Sequence, residues 1–415
     1  MPAFANRMEY MAGSAAIIRS LFGAMNDPET ISFGGGAPAS DALPVEQIRE
    51  IAADVLRRDA RGVEALQYGP VQGIRQLREI VAGKLLAPKG VPADPDDILI
   101  VNGGLETMNL LCQVFINPGD VILCESPTFV HCVEIFEMFQ AKCIGCRTDD
   151  LGIDPEDVEN KILEYHPKMV YVIPTFQNPT GKTLPAERRE KLAELGSKYD
   201  VIILEDDPYR DLRYSGEELK PIKAYDKTGR TVLANSFSKI FSPGSRLGYV
   251  YADHRIIEKL IDAKSATNSH TSMLPQILCA EFFARGYYDE HLKKLCSIHR
   301  ERRDAMMAAL EKTMPEGTRW VFPDGGLFTW VELPGGIDTT AAEGSGRLQG
   351  CIHCRRRFLC RRHGGREKLH APQLRQCDPG KDRNRHEASG RPDLLKAVIS
   401  GDSFPDCGTA ECMLY

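Results

Sequence analysis

Lys239 lies in the segment NSFSKIFSPGSRLGYV, with Ser236 and Ser238 upstream and Arg246 downstream. Two hydroxyls and a guanidinium at these offsets suit one phosphate group, and the amine between them suits a carbonyl carbon. A lysine bonds a carbonyl as an imine only in its neutral form, which requires a partly desolvated pocket that depresses its pKa. A cofactor that carries both an aldehyde and a phosphate is pyridoxal phosphate (PLP). The segment therefore reads as a PLP-binding lysine loop.

Upstream, EDDPYRDLRY places Asp206 and Tyr209 three residues apart. A carboxylate there can keep a pyridine nitrogen protonated, which makes the ring an electron sink for a carbanion at a substrate's alpha carbon. Tyr209 can hydrogen-bond the ring hydroxyl, and Asn178 in IPTFQNPTG offers a neutral donor to the same oxygen. Gly103 and Gly104 precede an apolar helical stretch, so their amides can meet an anion at a helix N-terminus. Taken singly, the acidic segment is also an ordinary solvated turn and the Gly-Gly pair a plain turn. Their joint presence with Lys239 favours the chemical reading.

The elements that must position these residues lie between about residues 98 and 250, where short apolar runs alternate with polar helical stretches. That pattern denotes an α/β fold with a largely parallel sheet covered by helices. Strands are expected over residues 98–101, 121–125, 170–173, 201–205 and 232–234, and a helix over 106–115. In open α/β sheets ligands bind beyond the carboxyl ends of strands. Gly103, Asn178, Asp206 and Lys239 each follow such an end.

A chain of 415 residues with 42% hydrophobic residues can bury a large core and is long enough for two domains. A net charge of -6 gives no general attraction to nucleic acid or to an anionic membrane. No apolar run approaches the ~20 residues that span a bilayer, and MPAFANRMEY lacks the charged-then-apolar pattern of a signal peptide. A cytoplasmic protein with no membrane or nucleic-acid partner is expected, its thirteen cysteines reduced.

PTFQNPTG, EDDPY and SFSKxxxPGxRxGY, in this order, resemble the fold-type I, class I/II aminotransferases. The likeness is strongest to the branch holding 2-aminoadipate and kynurenine aminotransferases and covers about residues 19–334. It implies a central, mostly parallel seven-stranded sheet and a smaller α/β domain. The implied boundaries are residues 1–45 for a segment joining the small domain, 46–290 for the large PLP-binding domain, and 291–340 for the start of the small domain. Lys239 would carry the internal aldimine, Asp206 would pair with the pyridine nitrogen, and Asn178 and Tyr209 would contact the ring hydroxyl. Ser236, Ser238 and Arg246 would hold the phosphate with the backbone of Gly103, Gly104 and Leu105. The family usually has Ser-Gln-Gln where this chain has Gly104-Leu105-Glu106, so one phosphate hydroxyl is missing and weaker cofactor binding is expected.

By the same resemblance Phe129 in ESPTF would stack on the pyridine face. Tyr68 would reach the phosphate of the neighbouring subunit, which makes the site composite and the protein a homodimer. Gly35 and Gly36 would line the substrate pocket, and Arg19 would meet an acidic substrate side chain. The implied reaction is a ping-pong transamination between an L-amino acid and 2-oxoglutarate, with Lys239 shuttling the proton. The amino acid is 2-aminoadipate-like, aromatic or branched-chain. The alternative is a PLP-binding protein without transaminase activity, either a lyase or decarboxylase with the same Lys and Asp or a regulator-type effector module. No winged-helix pattern precedes the fold, which favours the enzyme.

The family pattern continues to GGLFTWVELPGGIDTT and stops after Thr340. Residues 341–390 are crowded with Arg, Cys, His and Gly and show neither helix nor strand periodicity. Cys351, His353, Cys354, Cys360 and His363 include a C-x2-C pair, but the second pair lacks zinc-ligand spacing, so no metal is expected. The arginines at 355–357 and 361–362 resemble a basic arm. A shifted reading frame explains the whole segment. One nucleotide forward, codons permitted for these residues allow a run ending in MRLNFGNVTPEKIE, which resembles the family's small domain and contains the arginine for the substrate's alpha-carboxylate. That arginine would be encoded across the Ala371/Pro372 boundary and be absent from the protein as written. This polypeptide is therefore expected to bind PLP better than it turns over substrate.

Overall fold

Seven short runs rich in β-branched and aliphatic residues pair into one sheet: β1 Ile98–Val101, β2 Val121–Glu125, β3 Lys142–Cys146, β4 Met169–Val172, β5 Ile202–Asp206, β6 Thr231–Ser236 and β7 Gly248–Tyr251. The computed structural model describes residues 3–5, 7–10, 36–57, 59–314 and 316–333. Arg19, Gly35 and the segment 341–415 lie outside them. The spatial order is β1-β7-β6-β5-β4-β2-β3. All neighbours pair in parallel except β7, which is antiparallel to both β1 and β6. The mostly parallel seven-stranded sheet expected from the resemblance is present.

Both faces of the sheet are covered, which is why the strands read as continuous apolar runs without alternation. Successive residues of β4 point to opposite faces: Met169 and Tyr171 join one cluster, Val170 and Val172 another. The first face packs on α3 (Gly104–Phe115), α4 (Val130–Met138) and α7 (His254–Asn268) through Leu110, Phe136 and Leu260. The other packs on α5 (Pro155–Tyr165) and α6 (Ala186–Tyr199) through Ile162 and Leu192. At the β1 edge, α1 (Val45–Val55), α2 (Ala60–Leu66) and α8 (Met273–Ala284) form a third cluster that includes Ile51, Ala65 and Phe282.

A single helix, α9 (Tyr287–Thr313), carries the chain across the expected boundary at residue 290. Its C-terminal half, with Met306, Met307 and Leu310, supports a two-stranded ribbon of β8 (Arg319–Trp320) and β9 (Val331–Glu332). Among the described residues no helix is long and apolar enough to cross a membrane, and the described cysteines are free thiols.

The strand limits differ from the sequence reading in an informative way. β5 extends to Asp206 and β6 to Ser236, because Asp206 pairs with Ala234 and Ser236 with Gly248. Chemical residues thus sit on the last rungs of the ladder, where backbone pairing fixes them. The reading missed β3, a polar, small-residue edge strand, and β7, whose GYVY is shared with the lysine motif.

Candidate active site

Every parallel strand that contributes to the site ends at the same edge of the sheet. β6 runs into a 3-10 turn, Phe237–Lys239, capped by the Ser236 side chain. Ser236 Oγ accepts from Ser238 N at 3.2 Å and lies 2.9 Å from Ser238 Oγ. Arg246 Nη1 donates to Ser238 Oγ at 3.5 Å. The two serines are almost fully buried. Opposite them, Gly103 caps α3 with φ +78. A side chain there would be strained by the left-handed backbone and would collide with the Arg246 guanidinium. The N–H groups of Gly104 and Leu105, in the first turn of α3, have no intrahelical acceptor. Ser236, Ser238, Arg246 and a helix N-terminus thus converge on a cup of phosphate character.

The first turn of α3, which holds Gly104, also carries an ion pair. Glu106 accepts from Asn102 N and Asn268 Nδ2, and from Lys264 Nζ at 2.8 Å. Lys264 is fully buried, so its charge depends on Glu106. Sequence reasoning passed over this pair, whose members lie far apart in the chain.

Lys239 Nζ donates to the Gly36 carbonyl and stands 5.7 Å from the centre of the Tyr209 ring. Burial lowers its pKa to about 8, and the charge of Arg246 acts in the same direction. This is the condition the sequence reading required for an imine-forming amine. Gly36 has φ +53, and Phe328 fills the space where a side chain would stand. Phe328 also meets Tyr209 edge-on, with ring centres 5.3 Å apart.

Asp206 is buried, and its Oδ2 accepts from the Tyr171 hydroxyl at 2.8 Å. Burial pushes its pKa up to about 7; the Tyr171 hydrogen bond opposes that rise and the charge of Asp207 adds to it. Asn178 Nδ2 lies 3.5 Å from Tyr209 Oη, so the two residues proposed for one hydroxyl are neighbours. The loop bearing Asn178 is tied down from two sides. Gln177 bonds Pro127 O at 3.0 Å and receives Thr180 N at 2.8 Å. Fully buried Arg189 donates to Pro174 O and Leu184 O, each at 2.7 Å.

Phe129 caps α4 and packs against the core cluster at this edge. Tyr68 is 85% exposed, with its ring edge-on to His270. The residues present fit a group with an aldehyde, a basic ring nitrogen, a ring hydroxyl and a phosphate. Among the described residues no cluster of His, Cys, Asp and Glu suited to a metal ion occurs.

Comparison with known proteins identifies the family and the fold. Residues 28–346 match the family described as aminotransferase class I and II. The chain is 41% identical over 330 residues to aromatic-amino-acid aminotransferase 1 of Thermococcus litoralis, covering 78% of this chain and 79% of that protein. It is 33% identical over 334 residues to 2-aminoadipate transaminase of Thermus thermophilus, covering 80% and 81%. Its fold superposes with a TM-score of 0.77 on kynurenine aminotransferase of Pyrococcus horikoshii, solved with PMP, at 38% identity over 83% of this chain and 86% of that one.

Proposed function

This chain belongs to the class I and II aminotransferases, enzymes that work through PLP, and on that premise we propose that it transfers an amino group between an L-amino acid and 2-oxoglutarate. The observation that carries the proposal is the convergence of half-buried Lys239, buried Asp206 and the Ser236-Ser238-Arg246 cup at one edge of the sheet. Bound there, PLP supplies an electron sink for a carbanion at the substrate's alpha carbon. Lys239 Nζ would hold the aldehyde carbon and, once displaced by the substrate amine, would move the proton from the alpha carbon. Asp206 would keep the pyridine nitrogen protonated. Asn178 and Tyr209 would orient the ring hydroxyl, Phe129 would cover the ring face, and the cup would anchor the phosphate with the amides of Gly103, Gly104 and Leu105.

The donor amino acid is 2-aminoadipate-like, aromatic or branched-chain. The first two classes are named by relatives at 33% and 41% identity. Gly36, beside Lys239, would line the substrate pocket together with Gly35, and Arg19 would meet an acidic side chain. The exposure of Tyr68 supports a homodimer in which it reaches the neighbouring phosphate. A cytoplasmic location fits substrates of central amino-acid metabolism. The carboxylate-binding arginine would be supplied by the shifted frame, and the family match ends at residue 346, close to where the pattern ceases after Thr340.

A spectral titration tests the activity. The visible band of the bound PLP should be bleached by 2-aminoadipate or an aromatic amino acid and restored by 2-oxoglutarate. Bleaching without restoration would favour a lyase or decarboxylase, and no response would favour an effector module.

The ionisation of Lys239 gives a further expectation. Its ammonium form is inert, and its pKa lies near 8, so the rate of PLP uptake by the apoprotein should rise about tenfold per pH unit below 8 and level off above it. Stopped-flow absorbance over pH 6–9 measures this; a flat profile would mean that Lys239 is not the group that bonds the aldehyde.

A further inference from the structure

We propose that Tyr171 is a positioning residue for Asp206: its hydroxyl fixes one carboxylate oxygen so that the other meets the pyridine nitrogen. This inference rests on the PLP reading above and adds a residue to it. A carboxylate can only accept, so the 2.8 Å contact requires Tyr171 Oη to donate to Asp206 Oδ2. Among the described residues no donor reaches Oδ1. The two residues stand on adjacent parallel strands, Tyr171 opposite Leu204 in the register of β4 and β5, so backbone pairing sets their separation.

The tyrosine is itself immobilised. It is fully buried, and Phe136 of α4 meets its ring edge-on at 5.5 Å. The hydrogen of its hydroxyl points to the carboxylate. A core tyrosine needs one partner for its hydroxyl. Here that partner is the one carboxylate aimed at the cofactor's ring.

The charged and titratable groups facing Asp206 are Tyr171 and Cys132 on one side, Glu125 at the end of β2, Asp207 beside it in the chain, and Tyr209 toward the site. Tyr171 is the neutral donor to Asp206 in this set, and Asp207 works against its ionisation. Losing the Tyr171 donor makes Asp206 a stronger base that draws the proton from the pyridine nitrogen. The ring then withdraws electrons less, and the lysine-bound nitrogen keeps its proton to higher pH.

Tyr171→Phe in the full chain, reconstituted with PLP, tests this. We expect PLP affinity of the apoprotein to fall about tenfold, and the pH midpoint of the visible band to rise by about one unit, the scale of one charge-assisted hydrogen bond. Site-specific replacement of Tyr171 by a fluorinated, more acidic tyrosine keeps the contact and strengthens the donor, so the midpoint should move down. It also answers the question if Tyr171→Phe fails to fold. A midpoint unmoved in the fluorinated protein, or a lowered melting temperature of Tyr171→Phe with affinity and midpoint unchanged, would show a structural role only and overturn the inference. The wild-type band tests the PLP reading separately, since its absence would remove that reading before Tyr171 is altered.

Discussion

Lys239→Ala is expected to remove the visible band of bound PLP and to lower transamination by at least about 10²–10⁴-fold, the contribution of one positioned proton-transfer group. Loss of the covalent hold on the cofactor adds to that. The fold should tolerate the change, because it deletes a half-buried amine whose ionised form is disfavoured by desolvation and leaves the serine-arginine cup in place. Apoprotein of the variant should still take up PLP through Ser236, Ser238 and Arg246, with weaker affinity. Absorbance after dialysis against PLP, together with a coupled assay for glutamate, reads both effects. A variant that kept its band and its rate would place the chemistry on another residue.

Replacing residues 341–415 by the product of the shifted frame is expected to raise kcat/KM by about 30- to 5,000-fold, the range of 2–5 kcal/mol for one partner of a buried hydrogen-bonded charge pair. Arg forks match carboxylate geometry in two parallel bonds, and the arginine read from MRLNF would supply that fork. PLP affinity should change far less, because the phosphate cup, Asp206 and Lys239 all precede the altered segment. The comparison needs the two proteins side by side, assayed with 2-aminoadipate and with an aromatic amino acid. No gain in the restored chain, or DNA around the Thr340 and Ala341 codons that does not permit the alternative frame, would refute the link.

The cofactor half of the site was legible in the sequence because it is local. Ser236, Ser238, Lys239 and Arg246 fall within eleven residues, and their spacing is that of one strand end and one tight turn. Asp206 and Asn178 were legible for a related reason: each follows an apolar run that becomes an adjacent parallel strand, so topology brings together what the chain separates. Long-range contacts were not legible. Tyr171 sits inside MVYV, which reads as core, and only the register of β4 against β5 turns its hydroxyl to Asp206. Lys264 is buried on α7, where a solvated lysine was the natural expectation, and its pairing with Glu106 across more than 150 residues leaves no local signature.

Two strands, β3 and β7, were also hard to read, for different physical reasons. β3, KCIGC, lies at the sheet margin where one side of the ladder is open, so its sequence is not forced to be apolar. β7 carries Gly248, where a side chain would crowd the Asn235 carbonyl and the Gly103-Gly104 backbone. A glycine there looks like a turn in the sequence and is a packing requirement in the fold.

The most direct measurement is reductive trapping. Treating the PLP-loaded protein with borohydride and mapping peptides by mass spectrometry should place a pyridoxyl group on Lys239, with the unreduced, amino-acid-treated protein unlabelled. A label on another lysine, or none on a protein that shows the visible band, would contradict the assignment of Lys239 as the residue on which the site is built.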